Sequence, residues 1–334
     1  MSDPIVTVVI PTLAVGDALA DCLDSLQLQT FDLFEVVVVD NSGTGRDRLF
    51  GRRARVIANP RNEGFASAVN QGIRGSHAAY VATLNDDAIA DRRWLETLIA
   101  CAELHPQAGM FACEVRLMGT LMLDSAGMLI AADGSSKQRG HERPAADFAN
   151  APEALLPSGS AALYRRSMLD QIGFFDESFF LYCEDTDLGL RARWAGWECR
   201  YVPGAIVEHH YSYSAGRATP LKAYYVERNR LYTVLKNFPT RLLWRVPFAS
   251  VWRYFWHLAA MAAGAGKAHE YRRSGYRAAL LPILVLRAHA ATFGRLPRLL
   301  AERRRIRASR RIRSSEFIAL IEKHAIGVRQ VAWL

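Results

Sequence analysis

Apolar runs alternate with segments of helical spacing through the first hundred residues. The β-branched run Ile5–Ile10 has the composition of a buried parallel strand, Val36–Val39 is predicted as the second strand, and Arg55–Ala58 is predicted as a short third strand. Apolar residues over 19–26 recur at i, i+3, i+4 and i+7, which predicts an amphipathic helix, and helical spacing returns over 95–102. This alternation of strands and helices predicts a doubly wound α/β domain with a mostly parallel twisted sheet flanked by helices.

A fourth apolar run, Ala79–Leu84, stops abruptly at Asn85-Asp86-Asp87. Polar side chains at the end of a buried strand in an α/β sheet suit a divalent cation and the phosphates that it carries. The alternative is a solvated turn before a helix, because Asn and Asp are common turn and cap residues. The triplet by itself leaves both interpretations open.

Three further polar clusters follow strands or open a helix. Asp40 follows the second strand, His209-His210 follows a later apolar run, and Glu184-Asp185 opens a helix after a dense aromatic segment. Ligands of open α/β sheets bind at the carboxyl ends of the strands. If the strands are parallel neighbours, Asp40, Asp87 and His209 converge on one crevice.

The middle of the chain carries weaker signals. Met110–Cys113 and Ser158–Tyr164 have the composition of strands, and residues 167–172 have that of a short helix. Residues 133–152 are polar and rich in turn formers, which predicts a loop.

Beyond about residue 220 the composition changes. Residues 221–334 hold 23 Lys and Arg against 5 Asp and Glu, a net charge of +18, whereas the preceding residues have a net charge of −9. We therefore expect an α/β domain over 1–220 and a basic, aromatic-rich helical region over 221–334. The apolar segment Val246–Gly266 contains Arg253 and His257, and a spanning helix with a central Arg is unfavourable. We interpret this segment as a helix that lies on a surface.

The basic region suits an anionic partner, either a membrane surface or a nucleic acid. A nucleic-acid binder would show salt-sensitive binding of DNA or RNA. Aromatic rings prefer the lipid–water interface, which favours peripheral contact with an anionic membrane and no nucleic acid; the rings are those of Trp244, Trp252, Tyr254, Phe255 and Trp256. A helical subdomain that packs on the α/β domain is a further alternative, and a homo-oligomer also stays open.

Cysteine usage and the first residues bear on the compartment. The five cysteines are scattered and form no Cys-x-x-Cys pair, which is typical of a reducing compartment rather than of a disulfide framework or a structural zinc site. The first ten residues lack a basic segment followed by a cleavable apolar core, so we expect no secretory signal. We expect a cytoplasmic protein with peripheral contact to the inner face of the plasma membrane.

Seven motifs occur in an order that is more specific than any one of them. They are Pro11-Thr12, Val39-Asp40-Asn41-Ser42, Asn62-Glu63-Gly64-Phe65, Leu84-Asn85-Asp86-Asp87, Gly173-Phe174-Phe175-Asp176-Glu177, Glu184-Asp185-Thr186-Asp187-Leu188 and His209-His210. The ordered set covers about residues 5–235 and resembles the family-2 inverting glycosyltransferases with the GT-A fold. It is most similar to the branch that contains bacterial rhamnosyltransferases and galactofuranosyltransferases.

The resemblance implies a nucleotide-diphospho-sugar donor bound by the half at about residues 1–104, and an acceptor bound by the half at about 105–220. Asp40 would accept a hydrogen bond from the imide N–H of the base, and Gly64 would allow close backbone approach. The alternatives are a turn former for Asp40 and a core anchor for Phe65. The residues implied in binding the nucleotide sugar are Pro11, Thr12, Asp40, Asn62, Gly64, Phe65, Asn85 and Asp86.

The Asn85-Asp86-Asp87 triplet matches the Asp-x-Asp position of the family. The resemblance implies that Asp87 and His209 bind Mg²⁺ or Mn²⁺ at the diphosphate, which neutralises charge as the leaving group departs. Asn85 departs from the first carboxylate of the motif, so its direct role as a ligand is open. The alternative for His209 is a structural side chain with satisfied hydrogen bonds.

An inverting transfer needs a base that removes the proton of the acceptor hydroxyl as its oxygen attacks the anomeric carbon. The resemblance gives this role to Asp185, and a partly dry environment raises the pKa of a carboxylate toward neutrality. Glu184 would orient Asp185 or bind the acceptor, and Ser158-Gly159 would line the acceptor side. The alternative is an acidic helix start without a catalytic role.

The topology and the family each leave a choice of function: the class of enzyme and the sugar donor. A dinucleotide-dependent oxidoreductase, which the topology permits, is excluded because no Gly-x-Gly-x-x-Gly follows the first strand. Within the family, the leading donor is dTDP-L-rhamnose, and the alternative is UDP-galactofuranose or another UDP-hexose, because thymine and uracil present the same imide edge to Asp40. The expected acceptor is a cell-surface glycan or a polyprenyl-diphosphate-linked glycan.

Overall fold

The computed structural model describes residues 3–14, 17–44, 54–210 and 218–334. The strands are β1 (Val6–Thr12), β2 (Phe34–Asp40), β3 (Arg55–Ala58), β4 (Tyr80–Leu84), β5 (Ala88–Ala90), β6 (Ala108–Leu117), β7 (Leu123–Ser125), β8 (Met128–Ile130), β9 (Ser136–Gln138), β10 (Ala161–Arg165) and β11 (Glu198–His209). The helices are α1 (Ala18–Gln27), α2 (Phe65–Arg74), α3 (Trp94–Leu104), α4 (Arg166–Ile172), α5 (Glu184–Trp194), α6 (Pro220–Asn237), α7 (Thr240–Leu243), α8 (Arg245–Ala262), α9 (Gly266–Arg273), α10 (Leu280–Gly294), α11 (Leu296–Ala308), α12 (Ser314–Lys323) and α13 (Val328–Trp333).

Within the described residues, nine strands form one mixed sheet. Its order is β3-β2-β1-β4-β10-β6-β11-β5, and β7 pairs with β6. Strands β1 to β4 run parallel, β10 is antiparallel to both β4 and β6, and β11 is parallel to β6. Because the two reversals at β10 cancel, β11 points in the same direction as β2 and β4. The carboxyl ends of these three strands therefore lie along one edge of the sheet, although β10 and β6 separate β11 from β4.

Both faces of the sheet are covered by helices. Val8 and Ile10 of β1 belong to the apolar layer under α1 and α3, whereas Val9 belongs to the layer under α2, α4 and α5. Successive side chains of a strand point to opposite faces, so a strand that is buried on both faces must be apolar throughout. This requirement explains the unbroken β-branched runs, and the predicted α/β class is confirmed.

The chain divides into two compact units. The first comprises residues 1–128, 138–192 and 197–214 and contains the nine-stranded sheet. The second comprises residues 129–137, 193–196 and 215–334. The boundary that the composition predicts at about residue 220 and the division that the resemblance implies at about residue 104 stay predictions.

Aromatic stacking stabilises the interior of the second unit. Trp194, at the end of α5, stacks on Phe317 of α12 with ring centroids 3.8 Å apart. Its indole N–H donates a hydrogen bond to the carbonyl oxygen of Asn237 at 2.8 Å, so the one polar atom of the buried ring is satisfied.

Among the described residues, no helix has both the length and the apolar character that crossing a membrane requires.

The predicted loop over residues 133–152 is partly wrong. It contains strand β9, which pairs with β8, and a one-turn 3-10 helix at Ala145–Phe148. Elements of three or four residues are too short to show a hydrophobic period, so the sequence pattern alone could not reveal them.

Candidate active site

The carboxyl end of β2 presents a buried carboxylate. Asp40 is 2% exposed, and its Oδ1 accepts a hydrogen bond from the backbone N–H of Ser42 at 2.7 Å. The next side chain, Asn41, donates from Nδ2 to the carbonyl oxygen of Gly64 at 3.1 Å. Both the turn and the binding interpretation of Asp40 are compatible with this geometry, because only one carboxylate oxygen serves the turn.

The loop before α2 is held against a second loop through backbone contacts. Asn62 Oδ1 accepts from the N–H of Gly64 at 2.9 Å, and Phe65 N–H donates to the carbonyl oxygen of Phe180 at 2.7 Å. Gly64 has φ +87°, and a Cβ at this position would lie 2.5 Å from that same oxygen. Only glycine fits this close approach.

The carboxyl ends of β1 and β4 are joined by a hydrogen bond that the sequence pattern did not predict. The Thr12 hydroxyl donates to Asp86 Oδ2 at 2.6 Å, and the same hydroxyl accepts from the N–H of Ala14 at 2.8 Å. Burial raises the pKa of Asp86 to about 6, against the opposing effect of the Thr12 hydrogen bond. Thr12 and Asp86 therefore shape the turn together.

Asp87 and His209 come together although 121 residues lie between them in the sequence, because β5 begins directly after Asp87 and pairs Ala88 with His209 of β11. His209 Nε2 lies 3.1 Å from Asp87 Oδ1 and 3.2 Å from Asn85 Nδ2. Asp87 is 5% exposed and His209 is 6% exposed. Next to His209, His210 donates its backbone N–H to the carbonyl oxygen of Asp87 at 3.0 Å. The structure thus brings the two predicted metal ligands into direct contact.

A second carboxylate, which the sequence reasoning missed, orients His209 from behind. Asp124 Oδ2 lies 2.9 Å from His209 Nδ1, and Asp124 Oδ1 lies 3.2 Å from His141 Nδ1. Since a carboxylate only accepts, His209 Nδ1 carries its proton toward Asp124. Asp124 stands on the three-residue strand β7, in a stretch without hydrophobic period, so no sequence signal distinguishes it from a turn residue.

The donor set of Asp87 and His209 fits a divalent cation. Burial opposes protonation of His209, yet hydrogen bonds to Asp124 and Asp87 raise its pKa to about 10, which shows that the site favours positive charge. A carboxylate behind an imidazole is the arrangement that orients a ligating histidine. No group of three His, Cys, Asp or Glu side chains within the described ranges is arranged to hold a metal. A bound Mg²⁺ or Mn²⁺ would therefore take its other ligands from phosphate oxygens and water.

Asp185 is anchored at the start of α5 by backbone N–H groups. Its Oδ2 accepts from the N–H of Gly159 at 2.9 Å, and its Oδ1 accepts from that of Thr186 at 2.6 Å. Burial raises the pKa of Asp185, and the hydrogen bonds from Gly159 and Thr186 partly counteract this rise. Asp185 is thus a partly buried carboxylate whose pKa is shifted in the direction that a general base requires.

Glu184 differs from Asp185 in its environment. It is 5% exposed, and no side-chain or backbone donor in the described part of the chain reaches its Oε2. Burial and the neighbouring Asp185 raise the pKa of Glu184 to about 8. A pKa of about 8 means that Glu184 mostly holds its proton at neutral pH.

A strained backbone segment precedes this pair. Phe180, Tyr182 and Cys183 have φ values of 65°, 70° and 65°, a left-handed region that side chains other than glycine rarely adopt. Such strain persists only where surrounding contacts fix the backbone, and it concentrates at functional sites. The contact between Phe180 and the loop before α2 is one of these contacts.

The loop over 158–160 connects the two halves of the predicted site. The N–H of Gly159 donates to Asp185. The carbonyl oxygen of the following residue, Ser160, accepts from the N–H of Asn85 at 2.8 Å. Ser158 Oγ lies 2.9 Å from Ser160 Oγ. A continuous set of hydrogen bonds thus runs from Asp185 to the turn that carries Asp87.

Pro11 is the remaining predicted site residue, and it lies in β1 opposite Val39 of β2. Like the other predicted residues it belongs to the first unit. The roles assigned to the individual residues stay predictions, whereas their placement along one edge of the sheet is observed.

Comparisons with known proteins bear on the family and the fold of the chain. A family model described as Glycosyl transferase family 2 matches residues 7–173 of the chain. The N-acetylglucosaminyl-diphospho-decaprenol L-rhamnosyltransferase of Mycobacterium tuberculosis (strain H37Rv) is 32% identical over 242 residues, which cover 63% of this chain and 79% of that protein.

Two solved structures share the fold. The structure of GalNAc-T7 with UDP, GalNAc and Mn²⁺ matches 75% of this chain and 51% of its own, with a TM-score of 0.61 and 13% identity. The mannosyltransferase PcManGT from Pyrobaculum calidifontis, in complex with GDP-Man and Mn²⁺, matches 92% of this chain and 86% of its own, with a TM-score of 0.50 and 18% identity. At these identities the likeness concerns the fold alone.

Proposed function

The chain belongs to glycosyltransferase family 2, and from this premise we propose that it transfers L-rhamnose from dTDP-L-rhamnose to an acceptor hydroxyl, with inversion. The proposed acceptor is a cell-surface glycan or a lipid-linked glycan. The choice of sugar is supported by the name of the relative from Mycobacterium tuberculosis, an L-rhamnosyltransferase of which the chain covers 79%. The choice of a lipid-linked acceptor is supported by the diphospho-decaprenol in that name.

The observation that carries the proposal is the hydrogen-bonded path from Asp185 to the Asn85-Asp86-Asp87 turn through Gly159 and Ser160. A transfer reaction needs a base on the acceptor side and charge compensation on the leaving-group side, held in a fixed relation. The path supplies this relation through backbone atoms, which are stiffer than side chains.

On the donor side, Asp40 accepts from the imide N–H of the base with the carboxylate oxygen that the Ser42 turn leaves available. Gly64 lets the backbone approach the donor closely, because no Cβ occupies that space. The Phe65 ring stands at the boundary of donor and acceptor, since a Cβ added at Gly159 would lie 3.6 Å from its Cζ. Thymine and uracil offer Asp40 the same imide edge, so the sugar rather than the base must decide the donor.

Asp87 and His209 are the residues that would hold Mg²⁺ or Mn²⁺ in the proposed reaction. The cation, when bound, supplies positive charge to the diphosphate as it leaves. Asp124 keeps the His209 ring oriented through its Nδ1 proton, and Asn85 faces the same ring nitrogen as Asp87. The Mn²⁺ in the two structures that share the fold supports this choice of metal.

Asp185 performs the proton transfer. As the acceptor oxygen forms its bond to the anomeric carbon, the bond from that carbon to the diphosphate oxygen breaks and the hydroxyl proton passes to Asp185. The attack comes from the face opposite the leaving group, which gives inversion. Glu184 remains protonated beside Asp185 and so avoids a second negative charge next to the base.

A turnover screen over a panel of nucleotide sugars tests the proposal. The panel contains dTDP-L-rhamnose, dTDP-glucose, UDP-glucose, UDP-galactofuranose and UDP-N-acetylglucosamine, each with a polyprenyl-diphosphate-linked glycan as acceptor. We expect the highest kcat/KM with dTDP-L-rhamnose, loss of transfer with EDTA and recovery with Mn²⁺ or Mg²⁺. A preference for a UDP-sugar would refute the proposed donor, and full activity in EDTA would remove the roles given to Asp87 and His209.

A further inference from the structure

Helix α8 in the second unit presents apolar side chains outward and charged side chains inward. The outward residues share one helical face, with spacings of three and four, and are between 49% and 70% exposed. They are Trp244, Phe248, Val251, Trp252, Phe255 and Leu258. This set, the outer stripe of α8, begins at the N-cap residue Trp244 and runs for nearly four turns.

The opposite face of α8 is buried and polar. Arg253 donates to Asp133 Oδ2 at 2.5 Å and to Glu227 Oε2 at 2.6 Å, and it is 7% exposed. Although burial opposes it, the positive charge of Arg253 and Arg230 lowers the pKa of Glu227 to about 2, so the ion pair is complete at physiological pH. His257, one turn further, has its Nε2 3.3 Å from Arg253 Nη1.

This arrangement reverses the usual amphipathic helix, which buries its apolar face and exposes its charges. The buried ion pairs fix the rotation of α8, so the aromatic stripe cannot turn inward without breaking them. An exposed apolar stripe of this length marks an interaction surface.

A second apolar stripe lies on α10 of the same unit. Its members recur at spacings of three and seven, and they are between 41% and 77% exposed: Leu280, Ile283, Leu286 and Phe293. Ala288 and Thr292 on the other side of the helix are buried. Two helices of one unit therefore present apolar faces to the outside.

The charges around these stripes identify the occupant. Between Glu227 and Glu302 the chain contains 13 Lys and Arg residues and a single acidic residue, Glu270. Arg241 and Arg245 are exposed at the start of the α8 stripe, and the Arg245 guanidinium lies 5.4 Å from the Trp244 ring centroid. Aromatic rings flanked by arginines suit the interface of an anionic lipid bilayer.

A second copy of this chain is the less favourable occupant. A two-fold symmetric contact would place the same stripe, with the same arginines, against itself. The positive charges would then repel, with few acidic side chains in this region to compensate them. Charge complementarity therefore favours the membrane.

We propose that the outer stripe of α8 docks the protein onto an anionic bilayer, with the helix lying in the interface and not crossing it. The proposal goes beyond the transfer reaction, and its test requires neither donor nor acceptor. It also explains why an apolar segment contains Arg253: this residue bonds the helix to Asp133 and Glu227 and leaves the aromatic rings for the lipid.

Flotation with liposomes tests the proposal on the full chain. Vesicles of phosphatidylcholine alone are compared with vesicles that contain phosphatidylglycerol at about one lipid in three. We expect salt-sensitive binding to the anionic vesicles. We expect the affinity of the double variant Phe248→Glu/Trp252→Glu for these vesicles to be lower by a factor of about ten or more. Both side chains are more than half exposed, so the variant should fold, which circular dichroism and nucleotide binding check.

The matched control is Leu104→Glu together with Leu121→Glu in the first unit. These leucines are 78% and 71% exposed, so this control adds the same two charges at exposed apolar positions elsewhere. Its vesicle binding should equal that of the wild type. Equal loss in the control, or equal binding to neutral and anionic vesicles, would overturn the proposal.

The oligomeric state distinguishes a membrane from a second copy of this chain as the occupant of the stripe. Sedimentation of the wild type and of the Phe248→Glu/Trp252→Glu variant is measured without lipid. A tight wild-type dimer that dissociates in the variant, combined with absence of vesicle binding, would refute membrane docking and assign the stripe to contact between copies. A wild type whose oligomeric state the variant does not change, and which binds anionic vesicles, supports the proposal.

Discussion

The Asp185 carboxylate accepts a hydrogen bond from the backbone N–H of Gly159 at 2.9 Å. Through the adjacent Ser160 carbonyl, the same loop holds the N–H of Asn85. The candidate base and the candidate metal-binding turn are thus positioned by two consecutive residues, Gly159 and Ser160. This relation makes the individual roles testable by single substitutions.

Replacing Asp185 by Asn should abolish transfer and leave donor binding intact. Asn keeps the size of the side chain but cannot take a proton, so we expect kcat to fall by about 10²–10⁴-fold. The dissociation constant for dTDP, measured by calorimetry, should stay within about threefold of the wild type. Asp170→Asn, at a half-exposed carboxylate in a surface ion pair with Arg166, is the control and should keep full activity. Turnover of Asp185→Asn at the wild-type rate would contradict the mechanism.

Replacing Asp124 by Asn should weaken metal binding without weakening nucleotide binding. Asp124 holds the Nδ1 proton of His209, and loss of such a partner typically lowers metal affinity by about 10–100-fold. Electron paramagnetic resonance of free Mn²⁺ in the presence of dTDP measures this affinity, and calorimetry without metal measures the nucleotide alone. Asp147→Asn, at a carboxylate that is 40% exposed and paired with Arg143, is the control. Unchanged Mn²⁺ affinity in Asp124→Asn would show that Asp124 has only a structural role.

Replacing Gly64 by Ala should destabilise the fold more than the same change at Gly119. Both glycines have positive φ, +87° and +69°, but only Gly64 faces a close neighbour, the Phe180 carbonyl oxygen at 2.5 Å from the added Cβ. We expect Gly64→Ala to lower the free energy of unfolding by about 3 kcal/mol and Gly119→Ala by about 1 kcal/mol. Urea denaturation measures both. Equal losses would mean that the contact with Phe180 does not constrain the loop.

Replacing Glu184 by Gln should stabilise the protein at alkaline but not at acidic pH. The pKa of Glu184 is raised from 4.5 to about 8, so the folded state disfavours its ionised form. Its stabilising contribution is complete below pH 4.5 and is lost as the pH rises toward 8. Gln carries no charge at either pH, so Glu184→Gln should gain at least about 1 kcal/mol over the wild type on going from pH 5 to pH 8. Urea denaturation at both pH values measures this gain, and a constant difference would contradict it.

The pattern of apolar and polar residues predicts the class of fold and places most polar groups of the candidate site at strand ends. The runs around Val8, Val37 and Val81 consist of apolar and β-branched residues because both faces of these strands are buried. The abrupt change to Asp40 and to Asn85-Asp86-Asp87 marks the strand ends, where an α/β sheet places its ligands. Both signals are local, so the amino-acid sequence alone contains them.

The pairing of these groups, in contrast, is visible in the folded protein and not in the sequence. Asp86 bonds Thr12 and His209 bonds Asp124, and each of these contacts joins residues more than seventy positions apart. Sequence spacing holds no information on such pairs, because they depend on the strand order and on the two reversals at β10. In the sequence, α8 is an apolar segment interrupted by Arg253. The structure explains this residue, because Arg253 forms buried ion pairs with Asp133 and Glu227, which are distant in the sequence.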